Sequence, residues 1–202
     1  MTVNAIASGF SGRFNTSNAD PAGEASRFGR EFTVLAQAQT GNSDAPAAGA
    51  QAPPASATGA HGVTTIHHSN GRTETREGGS RAWRDNNPGN LEYGAFARNH
   101  GAIGHDTGTG HHEAIFPDRA TGDAAQRALL RERFGDRTVR DTMYVYAPPT
   151  ENDTEGYLQF LERNGVDRNA HIRDLTDGQF NNLVTQIQDF EGWRPGTIRP
   201  ES

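Results

Sequence analysis

Thr176-Asp-Gly-Gln-Phe-Asn-Asn-Leu-Val-Thr-Gln-Ile-Gln-Asp-Phe-Glu191-Gly192 is the stretch on which the fold turns. Phe180, Leu183, Val184 and Ile187 recur at the spacing of one helical face, so the segment reads as an amphipathic helix. Thr176, with Gln179 three residues on, fits a capping box at its start. Gly192 is placed to end it. Glu191 therefore falls in the last turn, where the partial negative charge of the helix end disfavours an ionised carboxylate. Phe190 and Trp193 beside it add desolvation that pushes in the same direction. An acid that keeps its proton near neutral pH is suited to general-acid catalysis, which makes Glu191 the first catalytic candidate. The plainer alternative is an exposed glutamate, mildly destabilising and without a role.

Three further helices are expected upstream. Thr121 is placed to cap one through Ala124, Leu129 and Leu130, ended by Gly135. Thr138 caps the next, which carries Val139, Met143 and Tyr146 and is stopped by Pro148-Pro149. A third starts near Asn152, carries Tyr157, Phe160 and Leu161, and closes at Asn164-Gly165. Before the helices, Val63–His68 and Arg72–Thr75 flank Ser69-Asn70-Gly71, and Asn-Gly between β-prone runs is a hairpin signal. Ala114-Ile115-Phe116 is a candidate strand. Gly78 to Asn90 is too dense in Gly, Asn and Pro for regular structure. The expected class is α+β: a small β-hairpin lobe plus about four helices.

Only 33% of the 202 residues are apolar, well under the roughly 45–50% usual for a soluble domain. The deficit is concentrated between Asp44 and Gly62, nearly all Ala, Gly, Pro, Ser and Gln. Such a stretch buries too little surface to offset the entropy of ordering it, and reads as a linker. The expected division is a disordered leader and linker over residues 1–61 and one globular domain over 62–202. Within the leader, Phe28, Phe32 and Leu35 sit at helical spacing; the segment is either a transient helix or a non-cleaved export signal. The first residues lack the basic-then-apolar pattern of a Sec signal peptide. No apolar run reaches the roughly 18 residues of a membrane span. The net charge of −6, with basic residues spread along the chain, argues against a nucleic-acid face. With no cysteine, disulfides, thiol catalysis and Cys-based zinc sites are excluded. Neither a phosphate-binding loop nor a nucleophile elbow occurs.

Ser80-Arg-Ala-Trp-Arg-Asp-Asn-Asn-Pro-Gly-Asn-Leu-Glu-Tyr-Gly94 resembles the signature of a phage-associated family whose members are usually labelled virion structural proteins. Gly101–Gly104, Ile115–Asp118 followed by Gly122, Tyr146–Pro149 with Glu151–Thr154, and Glu191–Gly196 continue the likeness in order, from about Gly71 to Ile198. A second likeness is to peptidoglycan-cleaving glycosidases of the lysozyme superfamily, in which a helix ends in Glu-Gly and an Asn- and Gly-rich segment forms a small β-lobe. Here the order would be permuted, with the β-lobe first and the Glu-bearing helix last. The likeness implies a lysozyme-like fold and a glycosidase or lytic transglycosylase acting on peptidoglycan glycan strands, with no cofactor. It also implies delivery by a phage particle or a non-Sec secretion system, the leader meeting that apparatus, and action in the periplasm or at the cell wall.

Glycoside hydrolysis usually wants a second carboxylate. Glu77, before Gly78-Gly79, and Asp106, in the glycine-rich loop before His111, are the candidates; Gly78-Gly79 would allow a sugar to approach closely. For both, a solvated loop carboxylate is the plainer role. Asn86, Asn87 and Asn90 suit either left-handed turns or hydrogen bonds to acetamido and hydroxyl groups. Trp83 and Tyr93 suit either sugar stacking or core packing. Tyr146 and Asn152 flank the Pro-rich turn, where they either line the glycan site or end and cap helices. His100, His105, Asp106, His111, His112 and Glu113 crowd one loop, but the intervening Gly-Thr-Gly sequence would hold a metal poorly, so no metal is expected. The alternative from another class is a non-catalytic virion, secretion or wall-binding module. It expects Glu191 to be exposed, or paired with a base such as Arg81 or Arg84.

Overall fold

In the computed structural model the described residues are 52–108 and 112–201. The leader helix around Phe28, the export reading, the linker residues before Ala52, and His111 lie outside them.

The chain is α+β. Six strands, β1 (Pro54–Ala60), β2 (Val63–His68), β3 (Thr73–Glu77), β4 (Gly104–Asp106), β5 (Glu113–Ile115) and β6 (Thr197–Glu201), form one sheet in the order β5-β4-β1-β2-β3-β6. Only β1 and β4 run parallel; every other pair is antiparallel. The hairpin of β2 and β3 turns at Gly71, whose φ of +85° suits glycine. The sheet is larger than the hairpin lobe expected from the sequence. Strand β1 lies in the Ala/Pro/Gly-rich stretch read as linker, so the ordered chain begins before residue 62. It is ordered by its neighbours: β2 and β4 flank it on both edges, and Ala57 alone supplies a buried apolar side chain. Composition senses side-chain burial and is blind to ladder hydrogen bonds, here made across a tight turn with β2 and, farther along the chain, with β4.

The helices are α1 (Arg81–Arg84), α2 (Ala95–Asn99), α3 (Arg119–Ala128), α4 (Val139–Tyr146), α5 (Thr154–Arg163) and α6 (Asp177–Glu191). Short α1 interrupts the Asn-rich stretch expected to be irregular; Ser80 caps it, its Oγ accepting from Trp83 N. Asp118, not Thr121, caps α3: Thr121 donates to the Asp118 carboxylate from both its N–H and its hydroxyl. Helix α3 runs on into a π turn at Leu129–Arg133. Thr138 caps α4 as expected, and Asp153, one residue after Asn152, caps α5. Helix α6 has its capping box and ends at Gly192, φ +78°.

Phe180, Leu183, Val184 and Ile187 of α6 pack with Leu130, Met143, Tyr157, Leu158 and Leu161 in the main core. A smaller cluster of Leu91, Ala97, Ala114, Phe116 and Ala125 joins β5 and α3 to the Asn-rich segment. That segment is pressed tightly against α3: a Cβ at Gly122 would collide with the Asn86 carbonyl.

Candidate active site

Helix α6 delivers Glu191 to the place where the Asn-rich segment and α5 meet. Asn90 donates from Nδ2 to Glu191 Oε2 at 2.8 Å, and the Tyr157 hydroxyl lies 3.0 Å from Oε1. Glu191 is half-buried and, among the described residues, forms no ion pair. Burial pushes its carboxyl above the usual range, while the hydrogen bonds from Asn90 and Tyr157 pull the other way. The direction agrees with the sequence expectation, but desolvation, rather than the helix end, is the leading cause. Tyr157 in turn stacks on Phe190, with ring centres 3.6 Å apart. Trp193 lies beneath the Arg119 guanidinium, 4.4 Å from its ring centre.

Asn90 is positioned by its neighbours. Its φ of +47° is left-handed, a conformation asparagine tolerates better than most residues. Gly89, before it, fits against the Gln126 side chain and the Tyr146 phenol, which donates to the Gly89 carbonyl. Gln126 is fully buried and accepts from Gln188 of α6 at 2.8 Å; Gln188 also donates to Asp123 at 2.7 Å. Polar side chains of α3, α4 and α6 thus converge on the turn that carries Asn90.

Glu113, on β5, is a second carboxyl raised by its surroundings. Burial, opposed by Arg81 and reinforced by the charges of Glu191 and Asp106, lifts it to about 7. Arg81 donates to Glu113 Oε1 at 2.5 Å and lies 3.5 Å from Asp106 Oδ2. Glu113 Oε2 is buried without a hydrogen-bond partner. Nearby Asp85 is fully buried and accepts from the Thr64 hydroxyl at 2.5 Å; burial, then the Asp106 charge, raises it well above the usual carboxylate range.

The two carboxylates proposed from sequence as partners of Glu191 are committed elsewhere. Glu77 pairs with Arg199 of β6 at 2.9 Å. The close approach that Gly78-Gly79 permits is taken by the chain's own tail: Ser80 N donates to Arg194 O, and a Cβ at Gly79 would collide with the backbone of Arg194 to Gly196. Asp106 has no exposed surface; it accepts from Gly108 N at 2.7 Å and serves as buried counter-ion to Arg81.

Asn86 and Asn87 take the framing role. Asn86 donates to Phe116 O and accepts from Arg76. Asn87 donates to Leu91 O and Ala114 O, each at 2.9 Å, and accepts from Leu91 N. Their amide groups are spent inside the fold, so neither side chain faces a ligand. Trp83 is 9% exposed, with Arg76 over its ring. Tyr93 stacks on His105 at 5.0 Å, next to Arg98. Tyr146 braces Gly89, and Asn152 donates its N–H to Pro148 O. Of the crowded loop, His100 stacks on Phe96 and His105 lies between Tyr93 and His112. Among the described residues no three His, Asp or Glu side chains assemble as metal ligands.

Tyr157 was not among the sequence candidates for the site; Glu113 was weighed only as a metal ligand, and Arg81 only as a base that could pair with Glu191. Two of them left a further trace: Tyr157 is a polar-tipped aromatic on a core face, which needs a partner, and Glu113 opens the apolar run Ala114-Ile115-Phe116. Comparison with models of known families gives no match, nor does comparison with curated proteins. Among the described residues no helix is long and apolar enough to cross a membrane.

Proposed function

We propose that this domain is a lysozyme-like glycosidase acting on the glycan strands of peptidoglycan, delivered by a phage particle or a specialised secretion system, with Glu191 as general acid. The observation that carries the reading is the setting of Glu191: half-buried, free of any cation among the described residues, and held by Asn90 and Tyr157. A carboxyl so placed keeps its proton to higher pH, and the residue is not fully buried. A structural glutamate would be expected to sit on a base, and Arg81 and Arg84 are both engaged elsewhere, Arg84 with the Gly78 and Gly79 carbonyls.

In the proposed reaction Glu191 gives its proton to the glycosidic oxygen as the bond from that oxygen to the anomeric carbon breaks. The cationic sugar is then quenched by water, or by a hydroxyl of the same sugar to give an anhydro product. The Glu191 carboxylate takes up the proton released. The reaction uses Glu191 alone: Glu113, like Asp106, is buried and bound to Arg81. The family likeness of the Asn-rich and Glu-Gly-Trp motifs favours delivery by a phage-related apparatus, with the residues ahead of the domain serving that step.

The test is muropeptide release from purified peptidoglycan by the full chain and its Glu191→Gln variant. Soluble fragments from the parent and none from a folded variant are the expected result. Release by neither, over several wall types and pH values, would sink the proposal and favour a non-catalytic virion or wall-binding module.

A further inference from the structure

The Tyr157 hydroxyl has two acceptors within reach: Glu191 Oε1 at 3.0 Å and the Ile187 carbonyl at 3.3 Å. It has one hydrogen. Ile187 O already receives the helical bond from Glu191 N, and a carbonyl oxygen has a second lone pair to offer. An ionised Glu191 is the stronger acceptor and takes the tyrosine hydrogen. When Glu191 gains a proton, its pull on that hydrogen weakens, and Ile187 O becomes the better acceptor. The tyrosine oxygen is then free to accept from the carboxyl. Tyr157 is 2% exposed and its ring is stacked on Phe190, so the ring stays fixed while the hydroxyl turns.

We propose that Tyr157 is a positioning residue whose hydroxyl alternates between Glu191 and the Ile187 carbonyl, holding the Glu191 carboxyl in one place in both of its charge states. The exchange is closed: one proton enters at Glu191, one O–H bond rotates, and no buried group loses its partner in either state. Among the described residues, Asn90 from the Asn-rich segment hydrogen-bonds to Glu191, and Tyr146 from α4 and Glu113 from β5 feel its charge; Arg81 is bound to Glu113 and Asp106. Neither tyrosine ionises near neutral pH, since burial raises both phenols. Of these groups, Glu113 titrates in that range. The inference concerns how the acid is held and stands whether or not the substrate is peptidoglycan.

The experiment is carboxyl titration by NMR on the full chain carrying 13C-labelled glutamate, with Glu191→Gln to assign the signal and Glu113→Gln to remove the competing step. In Tyr157→Phe, which keeps the stacked ring, the Glu191 midpoint should rise by about one pH unit, the loss of one hydrogen bond to a charged group. An unchanged midpoint in a variant with parental unfolding temperature overturns the proposal. Should Tyr157→Phe fail to fold, the parent labelled at the tyrosine Cζ carbon decides. One tyrosine signal should step at the Glu191 midpoint and lose that step in Glu191→Gln; no such signal overturns the proposal. Neither readout depends on glycan release, so loss of the proposed activity and loss of this inference are separable.

Discussion

Asn90 and Glu191 stand 101 residues apart in the chain and are joined by a 2.8 Å hydrogen bond from amide to carboxyl. That bond ties the Asn-rich segment to the end of α6. It also identifies the asparagine, of the three expected to bind or turn, whose side chain is aimed at the candidate acid.

Replacing Asn90 separates its two roles. Asn90→Ala loses the amide and places an ordinary residue in a left-handed conformation, at about 1 kcal/mol, which for a domain of this size lowers the melting temperature by roughly 3 °C. Asn90→Gly relieves the backbone and should melt nearer the parent. Both should move the Glu191 titration upward, because a bond favouring its ionised form is gone. Calorimetry and carboxyl NMR on the two variants check the pair of outcomes.

Glu113 makes stability depend on pH. Its folded value, about 7, lies above the ordinary 4.5, so the folded chain holds this proton more tightly than the unfolded chain. The stabilisation is complete below the ordinary value and is lost as pH rises through about 7, by on the order of 3 kcal/mol. Glu113→Gln lacks the step. Urea unfolding at intervals from pH 5 to 8 should show the parent losing stability relative to the variant up to about pH 7, then levelling off. Parallel curves would show that Glu113 is not buried in this way.

Two glycines on helices should respond with opposite signs. Gly122→Ala drives a methyl into the Asn86 carbonyl and should cost about 1–3 kcal/mol or more. Gly178 in the first turn of α6 has open space at the same position, and Gly178→Ala should stabilise by about 0.5–1 kcal/mol. Denaturant midpoints measure both. A neutral Gly122→Ala would mean that α3 does not press on the Asn-rich segment.

Glu77 and Asp106 should also part company. Glu77→Gln breaks a partly exposed pair with Arg199, worth no more than about 1 kcal/mol, and should leave glycan release intact. Asp106→Asn removes one of two buried counter-ions of Arg81, which keeps Glu113, and should cost about 1–3 kcal/mol. Any loss of release should then follow loss of folded protein, measured by melting each preparation before assay. Loss of release in a fully folded Glu77→Gln would return Glu77 to the site.

Local rules made much of this chain readable from its residues alone. The α6 stripe, the Thr176 capping box, the Gly192 stop, the Thr138 cap and the Asn70-Gly71 hairpin each depend on residues a few positions apart, so spacing reveals them. The position of Glu191 at a helix end followed from the same rules. The six-stranded sheet did not: β1 turns tightly into β2 but is also paired with β4 far along the chain, Ala57 with Gly104, and β6 has only a distant partner, Thr197 with Glu77. Nor did the site. Which asparagine reaches the acid was set when α3, α4, α5 and α6 packed around Gly89 and Tyr157, and Gly78-Gly79 meets Arg194 to Gly196 where β3 pairs with β6. Spacing fixes the face on which a side chain lies; only packing decides what meets that face and how much water is left there, and the charge state of a buried carboxyl depends on both.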